Sequence, residues 1–170
     1  MRLYHGSVNM IEKPEFGVGN SKNDYGQGFY CTEHIELAKE WACAENRDGF
    51  ANEYELETDG LSIMNLSDAR YHILNWLAIL LENRTFVIER GLALTAKDYI
   101  LSEFLPEYKN ADVIRGYRAD DSYFSFASAF LNNTITLEQL GKAMKLGKLG
   151  EQVVLKSKWS FAQLKYSRAI

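Results

Sequence analysis

LYHGS, Leu3–Ser7, is the stretch on which the reading of this chain turns. Two strand-forming residues lead into an imidazole and a glycine follows it, so His5 is expected at the end of a short strand that Gly6 stops. Two further strings are built alike. GQGFYCT, Gly26–Thr32, places Tyr30 in an aromatic run that Thr32 closes, and LGEQVVLKS, Leu149–Ser157, places Glu151 at the head of a β-branched run. Residues so far apart in sequence meet only through a fold. Rigid strands that hold separate reacting groups are the arrangement an assembled active site needs.

Around these strings the chain reads as one globular unit. It has 170 residues, 46% hydrophobic, with a net charge of −4 and no low-complexity tract, which is enough apolar material for a sizeable core and argues against disorder. The mild acidity argues against non-specific coating of duplex nucleic acid. Cys31 and Cys43 form neither a disulfide framework nor a zinc spacing, so both are expected to be free thiols of a cytoplasmic protein. The start of the chain shows no apolar signal region. The longest apolar stretch, Tyr71–Leu81, is interrupted by Asn75 and falls short of the ~20 residues a membrane span requires. It reads as a buried helix.

Periodicity and capping residues give the remaining elements. Asn9–Asp24 is a loop long enough to cover a ligand. Thr32 is expected to cap a helix from Glu33 to about Glu45, with Leu37, Ala38, Trp41 and Ala42 at helical spacing. Glu53–Thr58 alternates as a half-buried strand, Leu61–Leu66 is a short strand, and Ser67–Asn83 a helix. Thr95 opens a helix to Leu105 before Pro106. Asp112–Tyr117 reads as a strand, Asp121 as the cap of a helix over Ser122–Leu131, and Thr136 with Gln139 as a capping box. Gln152–Lys156 and Phe161–Tyr166 complete the set as strands. The expected class is α+β, mainly antiparallel, with a helix-rich insertion at about 67–133.

The three strings resemble the ADP-ribosyltransferase superfamily, in the His-Tyr-Glu branch shared by diphtheria-type toxins and poly-ADP-ribose polymerases. Within it, the chain is similar to an uncharacterised bacterial family, which DVIRGYRADDSYF, Asp112–Phe124, also matches loosely. The resemblance implies a split antiparallel β core. It implies that NAD is the co-substrate, that no metal is needed, and that ADP-ribose passes to a protein, a nucleic acid or a small molecule. It implies roles for residues as well. Glu151 would stabilise the ribosyl cation formed as nicotinamide departs and bond its 2′-hydroxyl. His5 would hold the adenosine-side ribose, with Gly6, Ser7 and Thr32 beside the dinucleotide. Tyr30 would stack on the nicotinamide, and Trp41 would stand where the family places its second aromatic. Trp suits a cationic ring well.

Two departures narrow the acceptor. Arginine-modifying members carry Arg where this chain has His5, and Glu or Gln where it has Leu149, so arginine is disfavoured. Two other readings stay open: an NAD glycohydrolase, and a catalytically silent module that binds a nucleotide or a partner protein. The superfamily includes toxins, and a toxin role would bring an inhibitory partner protein.

Other features carry less. Asp120-Asp121 is a metal or acceptor pair, or equally a turn with a helix cap. Gly26-Gln27-Gly28 lacks the third glycine and the helix of a dinucleotide fingerprint. His34 and His72 have no ligand partners at useful spacing. Cys31 reads as packing rather than as a nucleophile. Lys156, Lys158, Lys165 and Arg168 read as a solvated face.

Overall fold

The computed structural model describes residues 1–43, 47–86, 91–119, 121–146 and 151–170, with backbone only at 121–123 and 146. Seven strands and six helices occur among them, an α+β arrangement with two sheets. The first sheet has the order β1-β3-β7, from Arg2–Ser7, Phe50–Leu56 and Leu164–Ala169, all antiparallel. The second has the order β2-β6-β5-β4, from Phe29–Cys31, Glu151–Leu155, Val113–Tyr117 and Ile63–Asn65. Only its β4/β5 pair is parallel. A bridge between Tyr4 and Thr32 joins the two sheets, with N–H···O bonds of 2.7 and 2.9 Å.

Period-2 alternation explains how the layers stack. Val153 and Leu155 of β6 share a core with Leu3, Cys31, Leu56 and Val113, which packs sheet on sheet. Val154 faces the other way, into a larger core with Ile114, Trp76 and Leu77. The second sheet is therefore covered on both faces, and its strands read as nearly unbroken apolar runs. Tyr4 and Ala51 turn from the first sheet toward the helix α1, Ile35–Ala42, where they meet Ala38.

Several elements depart from the pattern read in the sequence. Gly6 does not stop β1, which continues to Ser7 opposite Phe50. The α1 helix starts at Ile35 with His34 at its cap position, and Thr32 serves it from two residues upstream, accepting from His34 N–H at 3.1 Å. The long apolar helix α2 spans Ile73–Asn83. His72 caps it, its Nδ1 accepting from Leu74 N–H at 3.2 Å, while Ser67–Tyr71 is turn. Leu74 and Trp76–Leu81 are buried around nearly the whole circumference of α2, so no single stripe faces a core. Helix α3, Leu92–Phe104, begins after Gly91 and contains Thr95. Helix α4 covers Asp121–Leu131 and α5 Leu137–Leu146. The Thr136–Gln139 box forms, with reciprocal bonds of 2.8 and 3.2 Å.

The last stretch read as a strand, Phe161–Tyr166, is divided: Phe161 and Ala162 end the short helix α6, Lys158–Ala162, which Ser157 caps, and Leu164–Tyr166 opens the strand β7. The region 67–133 holds α2, α3 and α4, but it also supplies β5, which sits between β6 and β4. That region is woven into the sheet rather than set beside it. No helix among the described residues is long and apolar enough to cross a membrane.

Gly6 fixes how closely α1 approaches the first sheet. A Cβ there would lie 2.0 Å from Ala38 O and 2.8 Å from Ala42 N, both backbone atoms. Gly141, in α5, has open space at the same test. Urea unfolding should show Gly6→Ala destabilised by ~1–3 kcal/mol or more, because backbone must move. Gly141→Ala should be stabilised by up to ~1 kcal/mol, through helix propensity alone. A wild-type midpoint for Gly6→Ala would refute the close approach.

Candidate functional site

Tyr30 and Trp41 come together although they belong to different elements. They line one cavity of about 280 Å³ with Asp24, Arg84, Arg118 and Gln152. Tyr30 is a fixed wall: its hydroxyl donates to Gly26 O at 2.6 Å and accepts from Tyr25 N–H at 3.0 Å. Burial raises the phenol's pKa, so it stays neutral. Lys156 donates to the carbonyls of Tyr25 and Gln27 and pins the same turn. It is not part of a solvated face, and burial lowers its pKa. Trp41 stands on α1, half-buried, with the Arg118 guanidinium 5.5 Å from its ring centre. Arg118 also approaches Glu40 at 3.4 Å.

The polar floor centres on Asp24, which is 7% exposed. Its Oδ1 accepts from Arg84 Nη1 at 2.8 Å. Its Oδ2 accepts from Ala119 N–H at 2.9 Å and from Gln152 Nε2 at 2.7 Å. Neither Asp24 nor Gln152 stands out in the sequence. Asp24 ends a loop, and Gln152 lies next to the more conspicuous Glu151. The one available signal is alternation along β6, which puts Gln152 on the face of Val154 and Tyr30.

Glu151 lies elsewhere. It shares the strand face of Val153 and pairs with Tyr117 of β5. Its carboxylate accepts from Ser67 Oγ and Arg115 Nε, and Arg115 also holds Glu33 at 2.8 Å. Burial works to raise the Glu151 pKa, but the Ser67 and Arg115 bonds and the Arg115 and His34 charges outweigh it, and the net direction is down. Glu151 is thus a stable anion outside the Tyr30–Trp41 cavity. Ser67 and Tyr117 also line a second, larger cavity of about 840 Å³ against α5, with Tyr71, His72 and Lys142.

The remaining site candidates are mostly engaged in structure. His5 reaches Tyr30 through the backbone: its Nδ1 lies 2.7 Å from Tyr30 O, and its ring rests 4.4 Å from that of Phe29. Ser7 Oγ donates to Asn9 O at 2.6 Å and accepts from Asn52 Nδ2 at 3.0 Å. Thr32 has no exposed surface, so its side chain offers a ligand nothing. The space beside Gly6 is filled by α1. Cys31 is sealed in the core, and burial pushes its pKa up, which makes it a poor nucleophile. Asp120, Leu149 and Gly150, and the side chain of Asp121, lie outside the described residues. No group of three His, Cys, Asp or Glu that could hold a metal occurs among the described residues.

Because its partner is a carbonyl, His5 Nδ1 carries the proton and Nε2 is left as an acceptor. Desolvation lowers the imidazole pKa below its ordinary 6.5, against the opposing effect of the bond to Tyr30 O. Below that value the folded protein binds fewer protons than the unfolded chain. The contribution of neutral His5 is therefore complete above about pH 6.5 and drains away as pH falls toward the folded pKa. Denaturant unfolding of wild type and His5→Gln above and below that value should show the difference between them shrinking at the acid end. A pH-independent difference would show that His5 is not held neutral.

No curated protein and no solved structure matches the chain at a significant level. The family model described as "Protein of unknown function (DUF3990)" matches residues 1–166, nearly the whole chain. The chain belongs to the DUF3990 family.

Proposed function

We propose that this protein binds NAD with its nicotinamide ring between Tyr30 and Trp41 and transfers ADP-ribose to an acceptor. The observation that carries this reading is the shared cavity. Two aromatic walls from separate elements line one space together with Arg84 and Arg118. About 280 Å³ falls just below the range of ligand pockets, roughly 300–1,000 Å³, so it suits a ring and its sugar, with the diphosphate outside. Flat aromatic faces favour a cationic ring. Arg84 and Arg118 supply charge for phosphate oxygens.

In the reaction the bond between ribose C1′ and the nicotinamide nitrogen breaks. Its electron pair goes to the ring, which neutralises the pyridinium charge, and the positive charge that develops on the ribose needs a nearby anion. Glu151, at the head of β6, is the carboxylate given that role. The acceptor's oxygen or nitrogen then bonds to C1′ and gives up its proton.

A second reading is favoured by one observation. Arg115 and Ser67 already occupy the Glu151 carboxylate, which suits a nucleotide-binding module without turnover.

Incubation with labelled NAD and cell extract separates these readings. Transfer gives free nicotinamide and a labelled macromolecule; glycohydrolysis gives free ADP-ribose alone; a silent module binds and releases nothing. Trp41→Ala should weaken NAD binding about tenfold, the order of one lost aromatic contact. Glu151→Gln should cut nicotinamide release at least a hundredfold if its charge stabilises the ribosyl cation. Unchanged release would remove Glu151 from the mechanism, and unchanged binding in Trp41→Ala would remove the stacking site.

A further inference from the structure

We infer that Gln152 is a β6 side chain that meets the bound ligand, and that its carbonyl, rather than the Glu151 carboxylate, accepts a hydrogen bond from the 2′-hydroxyl of the sugar attached to the stacked ring. The inference rests on the dinucleotide reading above and makes it more specific.

The orientation of the amide follows from its neighbours. Asp24 Oδ2 lies 2.7 Å and Tyr117 O 3.3 Å from one end of the group. Both are acceptors, so that end must be the NH₂, and both its hydrogens are committed. The opposite atom, Oε1, has no hydrogen-bond partner among the described residues. No buried side-chain nitrogen or oxygen among those residues is without a partner, so Oε1 is not sealed from solvent. Gln152 is only 4% exposed, and the space it borders is the Tyr30–Trp41 cavity. An uncharged acceptor therefore borders a pocket that Arg84 and Arg118 line as donors, together with Asn23, Asp24 and Tyr30.

Asp24 is the positioning residue. It is itself held by Arg84 and the Ala119 N–H, so it cannot turn away and let the amide flip. A ring clasped by Tyr30 and Trp41 brings its attached sugar to the cavity floor. The donor a ribose offers there is a hydroxyl. A site built to accept one hydroxyl discriminates sharply against the analogue without it, because the acceptor is then left desolvated and unpaired.

The test compares NAD with the analogue that lacks the 2′-hydroxyl on the nicotinamide ribose. Binding is read from the tryptophan fluorescence quench on mixing, before turnover. Wild type should bind NAD about five- to tenfold more tightly than the analogue, the worth of one net hydrogen bond. Gln152→Met keeps the shape and removes the carbonyl. It should bind NAD as weakly as the analogue and leave the analogue's affinity unchanged. Glu151→Met removes the neighbouring acceptor and, whatever it does to turnover, should keep the wild-type ratio. That arm leaves Gln152 untouched and decides the matter even where Gln152→Met fails to fold. A ratio abolished by Glu151→Met, or preserved in Gln152→Met, would overturn the assignment to Gln152. Equal wild-type affinity for the two compounds would overturn the hydroxyl contact while leaving NAD binding standing. Wild type that binds neither compound would overturn the dinucleotide reading and this inference with it.

Discussion

Strand β6 is buried on both faces, and that constraint organises the molecule. Val153 and Leu155 belong to the core between the sheets, and Val154 belongs to the core beneath α2. Each has no exposed surface. A slip of one residue would exchange every side chain between two cores of different shape, so the register is strongly fixed. The same alternation governs the polar residues at the strand's head. It sends Glu151 toward Arg115 and Glu33, and Gln152 toward Asp24 and Tyr30. Two adjacent residues with similar hydrogen-bonding reach thus receive separate surroundings, and the packing of three aliphatic neighbours decides which one borders the cavity.

The cavity floor depends on a charge kept from water. A buried carboxylate persists only when its lone pairs are used, and removing one partner of such a pair costs about 3–5 kcal/mol. Asp24 uses its lone pairs on three segments distant in sequence: the end of α2 through Arg84, the end of β5 through Ala119, and β6 through Gln152. The turn that follows Asp24 carries the bonds that fix the Tyr30 hydroxyl. Lys156, one residue past β6, closes that turn from the other side. Burial and polar satisfaction here produce a preorganised surface. Its groups are held before any ligand arrives, which lowers the ordering cost of binding.

Much of the framework was legible in the sequence, because β-branched runs and helical spacing report burial directly. The β5 and β6 strands and the Thr136–Gln139 box needed nothing beyond local pattern. The errors came where local signals compete. Ser67 looked like a helix start, but the His72 ring caps α2 instead, a role that residue seldom fills. Phe161, an aromatic close before Leu164 and Tyr166, reads as the start of their strand, while the Ser157–Ser160 box makes Lys158–Ala162 a helix. On the site, the pairing of Tyr30 with Trp41 was readable. Asp24 was not, since its importance comes entirely from partners 60, 95 and 128 residues away. Gln152 is inconspicuous beside a charged neighbour, because a sequence shows a carboxylate's chemistry but not the face its strand assigns it.

Gly6 shows how a motif residue can act on a ligand without approaching it. The resemblance implies that this glycine lies beside the dinucleotide. The structure uses its bare face for α1, whose Ala38 carbonyl occupies the volume a side chain would need. Trp41 Cβ would lie 2.8 Å from a methyl at Gly6, so the depth at which α1 sits on β1 also sets where the indole stands. The opposite aromatic wall is fixed independently, by the turn beneath Tyr30. The gap between the two rings is then the difference between two rigid placements, one set by backbone packing at Gly6 and the other by hydrogen bonds at Gly26. His5 ties the two together, since its Nδ1–H holds the carbonyl of Tyr30 to β1, the same strand that Gly6 lets α1 approach. LYHGS thus governs the width of the cavity from outside it, through one imidazole that fixes a strand and one missing side chain that admits a helix.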